Sequence, residues 1–219
     1  MAALVAAAFG VLTVLMWHTA RYTRWERPII DELVGTSVPG RDFLVAAFEP
    51  LPFVLTTLAL GCAAAAAGRR RLAIAGVAGC LTAVAAAELV LKPLVDRRRT
   101  HTLGVHHHVV RVGSEMFPSA HTTAAAAWAM FAFLILQRRT RLAPLVAVVP
   151  LLVGYAVISK QMHYPADVLG GFLLGPVIVY AIVDAGRTLA RRRRRRARAL
   201  ETWSGPGPHP DPVLTASAR

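Results

Sequence analysis

Three short polar stretches of this chain hold residue types that can handle an anion. The first runs from residue 92 to residue 100 and carries Lys92, Arg97, Arg98 and Arg99. The second is Pro118-Ser119-Ala120-His121, and the third holds Lys160, His163 and Asp167. Lysine offers an oxyanion a point charge, and arginine a planar fork. Pro118 suits the first position of a helix, Ser119 adds a hydroxyl, and the free N–H groups of a helix start attract anions. His121 then lies one turn into that helix. His163 and Asp167 are four residues apart, a spacing that lets a carboxylate near a helix start orient an imidazole. Two imidazoles, several cations and a helix N-terminus around one anion make a phosphoryl-transfer site.

The elements that must position these residues are apolar. Of the 219 residues, 55% are hydrophobic and 17% charged, and mean hydropathy is +0.49. That composition excludes a disordered or nucleic-acid-tail protein despite a net charge of +13. It also disfavours a soluble monomer. Two cysteines, Cys62 and Cys80, cannot build a disulfide framework or a four-thiolate zinc site. Apolar windows long enough to cross a bilayer fall at residues 1–20, 50–67, 72–91, 117–136, 142–159 and 166–186. In lipid these must be helices. The first lacks a basic n-region and reads as a retained helix.

The sequence therefore predicts an all-α, six-transmembrane helical bundle over residues 1–187. Residues 29–48 mix apolar side chains with Asp31, Glu32, Arg41 and Asp42 and read as an interfacial helix. Residues 188–219 form a basic, then Pro/Gly-rich, cytoplasmic tail. With both termini cytoplasmic, the inner segments carry Arg69, Arg70, Arg71, Arg138, Arg139, Arg141 and the arginine-rich run 187–198, with no acids in the inner loops. The outer cations are partly balanced by Glu26, Asp31, Glu32, Asp42, Asp96 and Glu115. All three polar stretches then meet at the outer ends of helices three to six. The run 191–196 reads as an anchor against anionic lipid, not as a nucleic-acid site, because no aromatic residues interleave it.

The three stretches together resemble the type 2 phosphatidic acid phosphatase (PAP2) superfamily, whose pattern is Lys-x6-Arg-Pro, Pro-Ser-Gly-His and Ser-Arg-x5-His-x3-Asp. Lys92 and Arg99 keep the first spacing, with Thr100 in place of proline. Pro118, Ser119 and His121 keep the second, with Ala120 in place of glycine. His163 and Asp167 keep the third, and Tyr164, Pro165 and the pair Gly170 and Gly171 add to the likeness. The motifs cover about residues 88–171. The resemblance implies a PAP2/haloperoxidase-like core, in which His163 is the nucleophile, Asp167 orients it, and His121 protonates the leaving oxygen and then activates water. It implies that Lys92, Arg99 and Ser119 bind the phosphate, and that neither metal nor other cofactor is needed. The chain departs from the pattern at Val157, where the family has arginine, and at Ala156. The only two lysines, Lys92 and Lys160, both sit in the polar stretches, so Lys160 is a candidate for the missing charge. The competing reading is that it merely snorkels at the interface.

Other residues carry bland alternatives. Glu88 lies one turn before Lys92 and is either an acid with a role inside the membrane or a plain i,i+4 partner. Arg97 and Arg98 either flank Arg99 or reach substrate themselves. His106, His107 and His108 suggest metal, but adjacent histidines do not share a helix face, and a loop near the substrate entrance is preferred. His18 reads as structural. The expected activity is hydrolysis of a lipid phosphate or diphosphate, a polyprenyl diphosphate among the candidates, through a phosphohistidine, with the site on the extracytoplasmic side. The alternatives are phosphotransfer to an alcohol acceptor and a degenerate member that binds phospholipid without turnover.

Overall fold

The computed structural model describes residues 2–17, 24–37, 39–97 and 115–202. Among them the ordered elements are helical, with no strand. The helices are α1 (Ala2–Met16), α2 (Arg27–Leu33), α3 (Arg41–Ala46), α4 (Pro50–Ala66), α5 (Arg70–Ala86), α6 (Lys92–Val95), α7 (Ala120–Leu136), α8 (Val148–Ser159) and α9 (Pro165–Thr202). A π-helical turn, Ala87–Leu91, joins α5 to α6, and a 3-10 turn, Ala143–Ala147, leads into α8. The chain divides into two compact units, Met1–Asp184 and Ala185–Arg219. In the second unit the described residues are helical, and the arginine run 191–196 is exposed.

Each of the six apolar windows coincides with an apolar helix. Two of these are long and apolar enough to cross a membrane, Arg70–Val95 and Pro165–Arg198. The others are shorter: Ala3–Met16, Pro50–Ala66, Ala120–Leu136 and Ala143–Ser159. The shortening has local causes. Residues 117–119 are apolar or small but form the entry to α7, and Pro144 sits in the 3-10 turn. Leu4, Phe43, Leu51, Ile74 and Leu89 turn outward, an apolar surface suited to lipid.

The stretch expected to be one interfacial helix is instead two short ones, α2 and α3. Gly35 and Gly40 take positive φ of 81° and 83°, a region open to glycine that cannot continue a right-handed helix. The π turn was also unexpected. Pro93 lacks an N–H and its ring would clash with the carbonyl one turn back. A wider turn just before it relieves that conflict and sets the direction of Lys92.

The core is centred on α7, whose buried face of alanines, Phe131 and Leu134 meets α5 and α9. Small residues let these backbones approach, as lipid-embedded helices require. One close approach of backbone to backbone is at Gly171. A Cβ there would meet Thr122 Oγ1, the Thr123 nitrogen at 2.7 Å and the Ser119 carbonyl oxygen at 2.9 Å. Gly175 sits similarly close to the Thr123 carbonyl, at 2.6 Å. Because backbone atoms cannot yield, Gly171→Ala should force the first turns of α7 and α9 apart. The expected cost is about 1–3 kcal/mol, with turnover falling about 10²-fold if the shift approaches 1 Å. Thermal melting in detergent and phosphate release check this together; a variant with wild-type values in both would refute it.

Candidate active site

The ends of α6, α7, α8 and α9 meet at one place. The Ser119 N–H donates to the Asp167 carbonyl at 3.0 Å, and the Met116 N–H donates to the Arg97 carbonyl at 2.9 Å. These backbone bonds tie the three polar stretches together in space. Ser119 is the N-cap of α7: it is buried, and its hydroxyl accepts from the Thr122 N–H at 3.5 Å. Pro118 stands one residue before that cap, outside the helix where it was expected.

His163 lies in the short turn between α8 and α9, and Asp167 in the first turn of α9. Their closest approach, His163 Nδ1 to Asp167 Oδ2, is 3.7 Å, an ion-pair distance longer than a hydrogen bond. The same carboxylate oxygen accepts from the Tyr164 N–H at 2.9 Å. Burial pushes the His163 imidazole below the ordinary histidine value. Asp167 opposes that shift, while Lys92 and His121 add to it. Lys92 and His121 are thus both within electrostatic reach of His163.

The partners of the remaining candidates divide along the same lines. Lys92 Nζ donates to Glu88 Oε1 at 2.5 Å, the i,i+4 pair that the spacing allowed. His121 Nε2 lies 3.4 Å from Glu49 Oε1, a contact with the residue before α4 that the sequence did not suggest. Lys160, just past the end of α8, donates to Asp42 Oδ1 at 2.7 Å. Val157 is wholly buried in an apolar cluster with Val45, Ala125 and Val153. The position that carries arginine in the family pattern is therefore core here. Arg99, Thr100, His18 and His106, His107 and His108 lie outside the described residues.

Arg97 is the main surprise. Asp96 adopts a left-handed conformation, φ 49°, at the end of α6, and the chain turns inward so that Arg97 is wholly buried. One guanidinium nitrogen donates to Asp167 Oδ1 at 2.7 Å and another to Glu26 Oε2 at 2.8 Å. The guanidinium also lies 5.1 Å from the centre of the Tyr164 ring. Burial alone would lower its pKa, but Asp167 and Glu26 outweigh that and hold it above the usual arginine value. Glu26 is buried as well, and its other oxygen accepts from the Ala166 N–H at 2.9 Å. No sequence signal singled out Glu26, since its partners lie 71 and 140 residues away. Among the described residues no cluster of three or more His, Cys, Asp or Glu could hold a metal ion.

Apolar helices thus carry a buried His–Asp pair, a second histidine and a lysine at their joined ends. This chain belongs to the PAP2 superfamily, whose family model matches residues 72–191. It is accordingly a phosphate hydrolase. It is 38% identical over 137 residues to the decaprenylphosphoryl-5-phosphoribose phosphatase of Mycobacterium tuberculosis, covering 61% of this chain and 72% of that one. It is also similar to the crystal structure of a transmembrane PAP2-type phosphatidylglycerolphosphate phosphatase from Bacillus subtilis. There the TM-score is 0.48 and the identity 18%, with 85% of this chain and 96% of the other covered.

Proposed function

We propose that this chain hydrolyses a lipid phosphate or diphosphate, with polyprenyl-linked phosphates as the favoured class, through a phosphohistidine and without a metal. The observation that carries this is the His163 imidazole held against Asp167 with His121 and Lys92 in electrostatic reach. The polyprenyl class rests on the relative that shares 38% identity, whose substrate name contains a decaprenylphosphoryl group. Six membrane passes with both termini cytoplasmic put the site at the outer leaflet, where a lipid's tail stays in hydrocarbon while its headgroup reaches the helix ends. The exposed arginines of the second unit then lie on the inner side, where they attract anionic lipid.

In this mechanism the pairing of His163 with Asp167 assigns the protons. With Nδ1 turned toward Asp167, that nitrogen carries the hydrogen and Nε2 keeps its lone pair. Nε2 attacks phosphorus as the bond to the leaving oxygen breaks, and His121 gives that oxygen a proton. The same imidazole then takes a proton from water as the water attacks phosphorus. The N–P bond breaks, and inorganic phosphate leaves with His163 restored. Lys92, Ser119 and Arg99 stabilise the equatorial oxygens, helped by the N–H groups at the start of α7.

Phosphate release from phosphatidate, phosphatidylglycerophosphate and a polyprenyl diphosphate, measured with purified protein in EDTA, tests this reading. Turnover that persists in EDTA is expected. Loss of turnover on chelation, restored by a divalent ion, would overturn metal independence. Lipid binding without any release would make the chain a degenerate member. Lys160 supplies the charge that Val157 cannot. Lys160→Ala should therefore lower kcat/KM about tenfold, equivalent to about 1.4 kcal/mol of transition-state stabilisation. Unchanged kinetics would reduce Lys160 to an interfacial partner of Asp42.

A further inference from the structure

We infer that Glu26 is a positioning residue for the reaction: by sharing the charge of Arg97, it leaves the Asp167 carboxylate free to act on His163. This rests on His163 being the nucleophile. Glu26 lies outside the residues 72–191 matched by the family, in the turn that opens α2.

Charge balance among buried groups decides how far Asp167 can act on His163. Arg97, Glu26 and Asp167 all have fully buried side chains. A guanidinium paired with Asp167 alone would neutralise that carboxylate, and the imidazole 3.7 Å away would feel little negative field. Glu26 takes the second arm of the guanidinium fork at 2.8 Å, against 2.7 Å for Asp167. The trio then carries one net negative charge where a lone Arg97–Asp167 pair would carry none, and Asp167 Oδ2 is the oxygen nearest His163. Glu26 also fixes the carboxylate's position, since its other oxygen accepts from Ala166, the residue before Asp167. One side chain thus anchors both the charge partner of Asp167 and the helix turn that carries it.

Among the described residues, the charged groups acting on His163 include Asp167 from α9, Lys92 from α6 and His121 from α7. Lys92 is partnered by Glu88, His121 by Glu49, and Lys160 at the end of α8 by Asp42. None of these pairs contains Glu26, so a change at Glu26 reaches His163 through Arg97 and Asp167. Removing its negative charge strengthens the positive field at the imidazole and favours the neutral ring. The His163 titration midpoint should fall.

The test is an NMR titration of the 15N-labelled imidazole of His163 in detergent-solubilised full-length protein. It compares wild type, Glu26→Gln and Asp167→Asn. Glu26→Gln is nearly isosteric and removes the charge, keeping one oxygen acceptor for either Arg97 or the Ala166 N–H and turning its NH2 toward the other. Its expected effect is a midpoint lowered by about half a pH unit or more, in the same direction as Asp167→Asn. In turnover assays kcat should fall with little change in KM, because Glu26 touches no substrate. A purely structural Glu26 would lower the melting temperature of Glu26→Gln and leave the midpoint unmoved while Asp167→Asn shifts it; that result overturns the inference. Failure of the underlying reading looks different, because His163→Ala would then retain turnover whatever Glu26 does.

Discussion

His163→Ala is expected to reduce phosphate release by on the order of 10⁴-fold or more, while the protein still extracts and melts as wild type does. The imidazole sits in the turn between α8 and α9 and supports no helix end, so its loss removes chemistry before it removes structure. It leaves Asp167 with its bonds to Arg97 and the Tyr164 N–H intact. His121→Ala should cost less, about 10²–10⁴-fold, the usual scale of acid–base assistance. The two variants also differ qualitatively. His121→Ala retains the nucleophile and should accumulate an alkali-stable, acid-labile phosphoprotein from 32P-labelled substrate, whereas His163→Ala should accumulate none. Near-wild-type release by His163→Ala would sink the assigned mechanism.

Arg97→Ala should be the most destabilising single change in the site. The substitution leaves Glu26 and Asp167 as two buried carboxylates without their shared counter-ion. Breaking a buried pair in this way costs about 3–5 kcal/mol, which lowers the melting midpoint by roughly 10 °C for a domain of this size. The exposed pair of Arg27 and Asp31 is the control. It is 3.7 Å apart with side chains 70% and 69% exposed, and Arg27→Ala should alter stability by no more than about 1 kcal/mol. Melting in one detergent, both variants side by side, checks the contrast. Equal midpoints would mean that the buried trio holds nothing together.

Much of this arrangement was legible in the sequence. Apolar windows located the six apolar helices because lipid-facing and core-facing residues are both apolar, and the window measures their sum. The spacing of His163 and Asp167 located the buried pair, since four residues span one turn at the start of α9. What stayed hidden depended on chain direction or on distant partners. Arg97 stands in a run of three arginines identical in type, and the left-handed backbone at Asp96 that turns it inward has no signature in the sequence. Glu26 was read as a charge balancing an outer surface and Glu49 was not singled out, because nothing local marks an acid whose partners lie far along the chain. The break between α2 and α3 was available in Gly35, Pro39 and Gly40, but the mixture of charged and apolar residues around them suggested one amphipathic helix. The π turn before Pro93 reflects a contest between proline geometry and helix continuity that hydrophobicity does not register.

The contact between Glu26 and Ala166 also has a bearing on biosynthesis. Its two ends are 140 residues apart, so the ribosome finishes the first long before it begins the second. Between Arg97 and Asp167, 70 residues, both Glu26 and Arg97 have been made and Asp167 has not. Under the proposed mechanism a nascent chain lacks the carboxylate that faces His163 until its final apolar helix has been made, and a fragment ending before that helix should release no phosphate.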